Sequence, residues 1–383
     1  MKVALVRGPS LNPYEMQNEI PLLPGVSLTA FCTSYAPEWD PARFPQLPVT
    51  ACFWPDIYLK RFPFLRKVFN GLCSRVLGFS FHMQGLETHL QGFDIIHTLE
   101  THTTYSYQAL QAATHSRSKL VVTVWETIPG RGESHPLRTT RKKKVREHAD
   151  AFIAVTLRTA QMLEKEGVAR DKIHVIPMGI DQTHFHPDLP DEDLRMSWHV
   201  KPGEFVWLCV ARLVPEKGIE DILRAMASIS RPVRLILVGR GPHEMHYQQV
   251  AMSLGIAERV VFNGSLPYAL MPKVYASCDA LVLASHSTAW WEEQFGYCLI
   301  EAMACGIPVV AARSGAIAEV VGDSGLLVEP QNPDALGQAM KKLMEDFSTL
   351  QAYKHKGLQR AADYYTHTVT AEKIGRVYAA LMR

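Results

Sequence analysis

The stretch that decides the fold is Glu293-Gln294-Phe295-Gly296-Tyr297-Cys298-Leu299-Ile300-Glu301-Ala302-Met303-Ala304-Cys305-Gly306-Ile307-Pro308-Val309-Val310. From Leu299 to Cys305 the pattern reads as a helix. Gly306 stops it, and a short apolar strand follows at Pro308–Ala311. Glu293 therefore lies on a loop and Glu301 lies in the helix, with Gly296 between them. A glycine there lets backbone amides approach a ligand closely. The helix N-terminus favours an anion, and a carboxylate can accept from vicinal sugar hydroxyls.

The same alternation extends upstream. Phe205–Val210 reads as a buried strand that ends at Ala211. A loop carrying Arg212 and Lys217 follows, and a helix begins near Ile219. Two cations beside a helix N-terminus suit a diphosphate. Further strands are expected at Val233–Val238, Arg259–Phe262, Ala280–Ala284 and Gly325–Val328. Helices are expected at Glu220–Ala227, Met271–Ala276 and Asp334–Met344. The front half repeats this pattern, with strands at Lys2–Val6, Asp94–His97, Lys119–Val124 and Ala151–Val155 and a helix at Arg138–His148. His174–Asp181 is a strand running into a Pro/Gly break, and the polar, Pro-rich stretch Phe185–Asp193 reads as a linker. Short apolar strands alternating with helices imply a parallel sheet covered on both faces. The expected fold is thus α/β, two doubly wound Rossmann-like domains facing a central cleft. A chain of 383 residues has room for both.

The run Glu293 to Glu301, continuing Glu-Ala-Met-Ala-Cys-Gly-Ile-Pro-Val-Val, resembles the E-x7-E signature of retaining glycosyltransferases of family 4, which have the GT-B fold. Ala211-Arg212-Leu213 with Lys217-Gly218, Val238-Gly239-Arg240-Gly241-Pro242, Val175–Asp181 and Ser314–Val320 also match that family, in order, from about residue 150 onward. The resemblance implies an N-terminal acceptor-binding domain over 1–182, joined by a closing helix at about 364–383, and a C-terminal nucleotide-sugar-binding domain over 195–363. It further implies that Arg212 and Lys217 hold the donor diphosphate and that Glu301 binds the ribose hydroxyls. Glu293, with the backbone around Phe295-Gly296-Tyr297, would meet the donor sugar and its phosphate. Gly239 belongs to the donor-binding set, and the base would rest near Asn263–Pro267, at Gly264 and Leu266. Gly8, after the first strand, occupies the place of the family's Gly-rich loop near the donor phosphates.

By the same resemblance, Arg212, Lys217 and Glu293 would carry a retaining transfer of a hexose from UDP- or GDP-hexose. The departing phosphate would take the acceptor proton, with no cofactor and no required metal. The acceptor would be a glycan or a lipid-linked glycan in polysaccharide or envelope synthesis. A non-catalytic nucleotide-sugar-binding protein, or an epimerase or phosphorylase on the same scaffold, is the alternative. Many relatives carry a histidine facing the donor sugar where this chain has Trp125-Glu126. Trp125, Glu126 and the strand-end residues His97 and Glu100 are the acceptor-site candidates.

Composition narrows the partners. Formal net charge is +2, which argues against a nucleic-acid binder. Residues 1–180 hold 21 Lys and Arg against 15 Asp and Glu, and residues 181–383 hold 19 against 23. A basic front half suits an anionic contact. Two stretches concentrate it: Ile57–Phe79, where Lys60, Arg61, Arg66, Lys67 and Arg75 alternate with apolar residues, and Arg138–Arg146 with its run Arg141–Lys144. These fit either an anionic membrane surface or a solvated helix face. The seven cysteines show no metal-ligand spacing and read as the usage of a reducing compartment. Met1–Val6 is too short for a signal-peptide core, and no apolar run reaches 18 residues. The expectation is a cytoplasmic protein, peripheral at the inner face of the membrane. Asp191-Glu192-Asp193 spells a metal-nucleotide triplet, but acids also belong at a helix start. His97 and His102 are not spaced as a helical zinc pair.

Overall fold

The computed structural model describes residues 1–23, 25–33, 42–54, 58–59, 61–76, 78, 81–133 and 135–383. Contacts divide the chain into two compact units. One is Met1–Gly179 with His367–Arg383, and the other is Ile180–Thr366.

In the first unit the elements run β1 (Lys2–Gly8), α1 (Pro13–Met16), β2 (Ser27–Thr33), β3 (Val49–Cys52), α2 (Pro63–Val76), α3 (Leu86–His89) and β4 (Ile95–Leu99). They continue as α4 (Thr104–Ser116), β5 (Lys119–Val124), α5 (Pro136–His148), β6 (Ala151–Ala154), α6 (Leu157–Lys165) and β7 (Ile173–Val175). The second unit holds α7 (Glu192–Ser197), β8 (Phe205–Val210), α8 (Ile219–Ala227), β9 (Val233–Val238), α9 (Glu244–Ser253), β10 (Val260–Gly264) and α10 (Met271–Ala276). After these come β11 (Ala280–Leu283), α11 (Tyr297–Ala304), β12 (Val309–Ala312), α12 (Ile317–Val321), β13 (Gly325–Val328), α13 (Pro333–Glu345) and α14 (Phe347–Tyr364). The last helix, α15 (His367–Leu381), belongs to the first unit.

The first sheet has the order β3-β2-β1-β4-β5-β6-β7 and the second β10-β9-β8-β11-β12-β13. Every ladder in both is parallel. In each, the first strand of the unit lies inside and the order reverses beside it, which is the doubly wound arrangement. Burial explains the strands. Val3–Val6, Val233–Val238 and Val309–Ala312 are buried throughout, as central strands covered on both faces must be. Apolar side chains fill both faces of the first sheet. Val6, Ile96, Val122 and Phe152 lie on one side, and Val3, Leu5, Ile95 and Val121 on the other, where Ile374, Val377 and Tyr378 of α15 cover them.

Two expectations change. Phe185–Asp193 is not a loose linker. Phe185 is 1% exposed and packs on the rings of Tyr268 and Tyr275, so the stretch is built into the second unit from its start. The Pro-rich composition hid one aromatic anchor. The front half also gains β2 and β3, which sequence reading left out. Ile57, Lys60 and Phe79 of the first basic stretch lie outside the described residues.

Candidate functional site

In the second unit, β8 delivers Ala211 and Arg212 to its carboxyl end. A single turn over Pro215–Lys217 follows, and Gly218 caps α8 in the left-handed region at φ +63°. Gly218 is needed for a second reason: a Cβ there would stand 2.0 Å from the carbonyl oxygen of Ala284 at the end of β11. The loop is thereby pressed against the neighbouring strand end, and Lys217 arrives beside the segment that precedes α11.

There the Lys217 ammonium donates to Glu293 Oε2 at 2.6 Å, and the Ser285 hydroxyl donates to the same oxygen at 2.9 Å. The Trp291 ring lies under the ammonium, 4.6 Å from Nζ to the centroid. Both side chains of the ion pair are about nine-tenths buried. The Glu293 backbone is clamped from the other side. Its carbonyl accepts from Ala316 N at 2.8 Å, and a Cβ on Gly315 would fall 2.1 Å from that same oxygen. Arg212 is different. Its side chain is 61% exposed and held only loosely, 3.4 Å from Glu216, so it remains available to a ligand anion.

Glu301 lies on α11 and is buried. The Tyr275 hydroxyl donates to its Oε2 at 2.7 Å. Burial pushes its carboxyl up to about 7, against the opposing effect of the tyrosine hydrogen bond. Gly296 caps the helix at φ +87°. Phe295 is 2% exposed and edge-on to Tyr297 and Tyr365, so it anchors the loop in the core and offers a ligand only its backbone. Gly239 and Gly264 are joined by a backbone hydrogen bond of 2.9 Å between the ends of β9 and β10. Leu266 follows in the loop after β10, and Asn263 near the end of that strand accepts from Trp198 Nε1 at 2.9 Å with its side chain. The second unit therefore gathers Arg212, Lys217, Gly239, Gly264, Leu266, Glu293, Gly296, Tyr297 and Glu301 at strand ends, loops and one helix start. Sequence reading missed Ser285, Tyr275 and Trp291. Trp291 alone carried a signal, as an aromatic two residues before Glu293.

The first unit sorts its candidates. Gly8 ends β1 at φ +57°, against the buried ring of Tyr105. Glu100 follows β4 at φ +61°, a left-handed position that strains a residue with a side chain. Its Oε1 accepts from Trp125 N at 2.9 Å, and Oε2 lies 3.7 Å from His102 Nδ1. Burial pushes Glu100 up to about 8 and His102 down to about 4. Glu126 turns inward: its Oε1 accepts from the Thr127 and Ile128 amides, and Oε2 faces Arg131 at 3.5 Å. Glu100 and Trp125 are thus brought together, while Glu126 holds its own loop.

His97 is a correction. It is wholly buried, with Nδ1 2.6 Å from the Tyr378 hydroxyl and Nε2 2.7 Å from Thr123 Oγ1. Burial holds its pKa well below the usual histidine range. It reaches no surface and instead pins α15 to the sheet. Below it, Arg7 donates to the His97 carbonyl at 2.9 Å and to Glu19 at 2.8 Å, a buried ion pair that sequence reading did not single out.

The basic run Arg141–Lys144 divides: Lys143 and Lys144 are exposed on a solvated helix face, and Lys142 turns inward. Lys142 is 2% exposed and donates to Glu166 at 2.5 Å, with Glu133 at 3.1 Å. Arg146 pairs with the same two acids, and Arg141 donates to the Gly78 carbonyl at 2.9 Å. Lys142 and Arg146 thereby brace the loop at Arg131–Glu133. Asp191 is an N-cap, accepting from Asp193 N and Leu194 N and paired with Lys273 at 3.0 Å. Among the described residues no group of three or more His, Cys, Asp or Glu is arranged to hold a metal, and no helix is long and apolar enough to cross a membrane.

Known proteins can now be set beside this geometry. Residues 190–360 match the family described as Glycosyl transferases group 1, and residues 25–184 match Glycosyltransferase Family 4. The GDP-mannose-dependent alpha-(1-6)-phosphatidylinositol monomannoside mannosyltransferase of Mycolicibacterium smegmatis is 33% identical over 219 residues, covering 55% of this chain and 57% of that protein. The D-inositol 3-phosphate glycosyltransferase of Nocardia farcinica is 32% identical over 260 residues, 64% of this chain and 56% of that one. The matches thus span a little over half of these relatives. Anabaena Alr3699/HepE in complex with UDP superposes with a TM-score of 0.79 at 20% identity, covering 99% of this chain and 100% of that one, which shows a shared fold. Two family matches, one on each half and together reaching from residue 25 to residue 360, carry the conclusion that this chain belongs to the group 1 glycosyltransferases of family 4.

Proposed function

We propose that this chain is a retaining hexosyltransferase that moves a sugar from UDP- or GDP-hexose to a glycan or lipid-linked acceptor, without a required metal. The observation that carries the reading is the Lys217–Glu293 pair, 2.6 Å long and backed by Trp291, on the same segment that leads into Glu301. Bound diphosphate would draw on the Lys217 ammonium and on exposed Arg212. These two cations would offset the charge that grows on the departing phosphate. Glu293 would then face the hexose hydroxyls, and Glu301 the ribose diol. A GDP-mannose-dependent relative supports the donor class, and relatives acting on a phosphatidylinositol mannoside and on inositol phosphate support an acceptor with a polar glycan or lipid headgroup.

A peripheral place at an anionic membrane, on the cytoplasmic side, belongs to the same proposal. With Lys142 and Arg146 of α5 committed to internal acids, α2 is what supports it. Phe64, Leu65, Val68, Leu72 and Val76 are each about half to three-quarters exposed, the helix holds no acid, and Arg66, Lys67 and Arg75 flank the apolar residues. All seven cysteines are unpaired thiols, in keeping with a reducing compartment.

The test is a thermal-shift screen against UDP-, GDP- and ADP-hexoses with and without chelator, followed by proton NMR of the product's anomeric configuration. Stabilisation by one donor, unchanged by chelator and lost in Glu301→Ala, with an anomer like that of the donor, is the expected result. An inverted anomer or a chelator-sensitive shift would overturn the retaining or metal-independent part. Stabilisation without transfer to any acceptor, water included, would favour the non-catalytic alternative.

A further inference from the structure

Arg240 follows β9 on a closely held backbone. A Cβ on Gly239 would stand 2.0 Å from the Ala211 carbonyl oxygen, and one on Gly241 2.2 Å from that of Leu213. Between these glycines the Arg240 carbonyl accepts from Leu213 N at 3.0 Å. The turn is thereby clamped to the loop that carries Arg212. The Arg240 side chain is exposed, and among the described residues no hydrogen bond or ion pair engages its guanidinium. Exposure alone is ordinary for an arginine. What lies beside this one is not. Gly264, at the end of β10, has φ +70°, and the place that a Cβ would fill is edged by Nε and Nη2 of Arg240, each at 3.4 Å. The glycine leaves a floor of bare backbone with a planar, fork-shaped set of donors along its side.

The donor residues place a base at that floor. The loop with Arg212 and Lys217, which would take the diphosphate, follows β8. Strands β8, β9 and β10 are neighbours, so the ends of β8 and β10 lie roughly 10 Å apart, a distance that a nucleoside bridges from phosphate to base. The ribose end agrees. Tyr268 acts on the Glu301 carboxyl together with Tyr275, and both favour its ionised form. Tyr268 comes four residues after Gly264, at the far end of the same loop. A base is bonded to the ribose carbon next to the diol. A ribose held at Glu301 therefore delivers its base to the Gly264–Pro267 segment, beside the Arg240 fork.

Bases differ in what they offer a guanidinium. Guanine presents two adjacent acceptors, O6 and N7, which the fork takes in two parallel hydrogen bonds. Adenine presents N7 beside an amino group, so a donor meets a donor at the second position. Uracil has its two carbonyl oxygens on either side of an N–H, and only one of them is open to the fork at a time. We infer that Arg240 reads the base of the donor and selects guanine, so that the donor nucleotide is GDP. The inference rests on the transferase reading, which supplies the ribose at Glu301. Arg240 touches neither the hexose nor the scissile bond, so it sets which nucleotide binds and takes no part in the transfer.

The experiment is calorimetric titration of GDP, UDP, ADP, 7-deaza-GDP and IDP into wild type, Arg240→Ala and Arg240→Lys, with Glu301→Ala as the reference for the ribose. Wild type should bind GDP about 10–100 times more tightly than UDP or ADP, the range of one bidentate arginine–guanine pair. 7-Deaza-GDP, which lacks N7, should lose about tenfold. IDP keeps O6 and N7 and lacks only the 2-amino group, so it should bind like GDP. Arg240→Ala should bring GDP down to the level of UDP while UDP affinity and the melting temperature of the empty protein stay as in wild type. Arg240→Lys, a point charge in place of a fork, should restore little of the preference. A wild-type preference for UDP or ADP overturns the inference. So does an equal loss of all three nucleotides in Arg240→Ala, which would make the guanidinium a phosphate contact. Weak binding of IDP with 7-deaza-GDP unaffected also overturns it, by placing recognition on the opposite edge of the base. GDP binding that is lost in Glu301→Ala but unchanged in Arg240→Ala removes the base assignment and leaves the transferase reading standing. No binding of any nucleotide by wild type removes both.

Discussion

Donor binding should switch off as the pH falls through about 7, and the switch should reside in Glu301. Burial raises this carboxyl from 4.5 to about 7. At about 1.4 kcal/mol per unit, that is a penalty of roughly 3 kcal/mol for holding the ionised form inside the empty protein. A ribose diol donates two hydrogen bonds and needs the carboxylate to accept them, and bonds to a charged acceptor are worth about 1.5–3 kcal/mol each. Donor affinity should therefore be flat above about 7 and fall about tenfold for each unit below it, with protons released on binding in that range. Calorimetric titration of the nucleotide in buffers of different ionisation enthalpy reads both quantities. Glu301→Gln should bind roughly 10–100 times more weakly and show no slope. In Tyr275→Phe the carboxyl loses the hydroxyl that favours its ionised form, so the midpoint should move up. The stability of the empty protein supplies a second check, with the sign opposite to that of affinity. A carboxyl raised on folding contributes stability that is full below about 4.5 and disappears as the pH climbs through about 7. Glu301→Gln should accordingly melt at a higher temperature than wild type above neutral pH. A wild-type affinity that does not vary with pH, or a slope that persists in Glu301→Gln, would refute the placement of the ribose on this residue.

Three further outcomes follow from other contacts. Lys217→Ala should cut turnover by about 10²–10³ and also lower the melting temperature, because it leaves the Glu293 carboxylate nine-tenths buried with the Ser285 hydroxyl as its remaining side-chain donor among the described residues; Lys217→Ala with Glu293→Gln should recover melting but not turnover. Tyr378→Phe should destabilise by about 1–2 kcal/mol in denaturant titration while leaving nucleotide binding unchanged, since it strands one buried nitrogen of His97 in the first unit, whereas Arg212, Lys217, Glu293 and Glu301 belong to the second. Lys142→Met should cost about 1–3 kcal/mol, because Glu166 loses one of its two cations and keeps Arg146 and the Gly130 amide, and Lys142→Met with Arg146→Met should cost more than the sum of the two single changes.

The second unit was the more legible of the two, and the reason is burial. Strands such as Val233–Val238 and Val309–Ala312 are covered on both faces, so their sequences are unbroken apolar runs bounded by glycine, proline or a cation. The motifs that place Lys217, Glu293 and Glu301 lie at the ends of those runs, where position alone puts a side chain at the mouth of the sheet. In the first unit the same logic failed where tertiary partners came from far along the chain. β2 reads Ser-Leu-Thr-Ala-Phe-Cys-Thr and β3 only Val-Thr-Ala-Cys, too polar or too short to stand out, and β3 is an edge strand. His97 lies near a strand end, which by position alone marks it as a ligand candidate. Its true partner is Tyr378, 281 residues later on a helix that returns to cover the sheet, and no local pattern announces that contact. Lys142 shows the same limit in a charge run. Four consecutive cations look alike in sequence, yet only the one facing β-sheet and loop meets Glu133 and Glu166 and is drawn inside, because a helix turns successive residues about 100° apart. Local periodicity therefore identifies which residues can reach a strand end or a helix face. Whether they meet a ligand or a distant buried partner depends on elements that the local pattern does not contain.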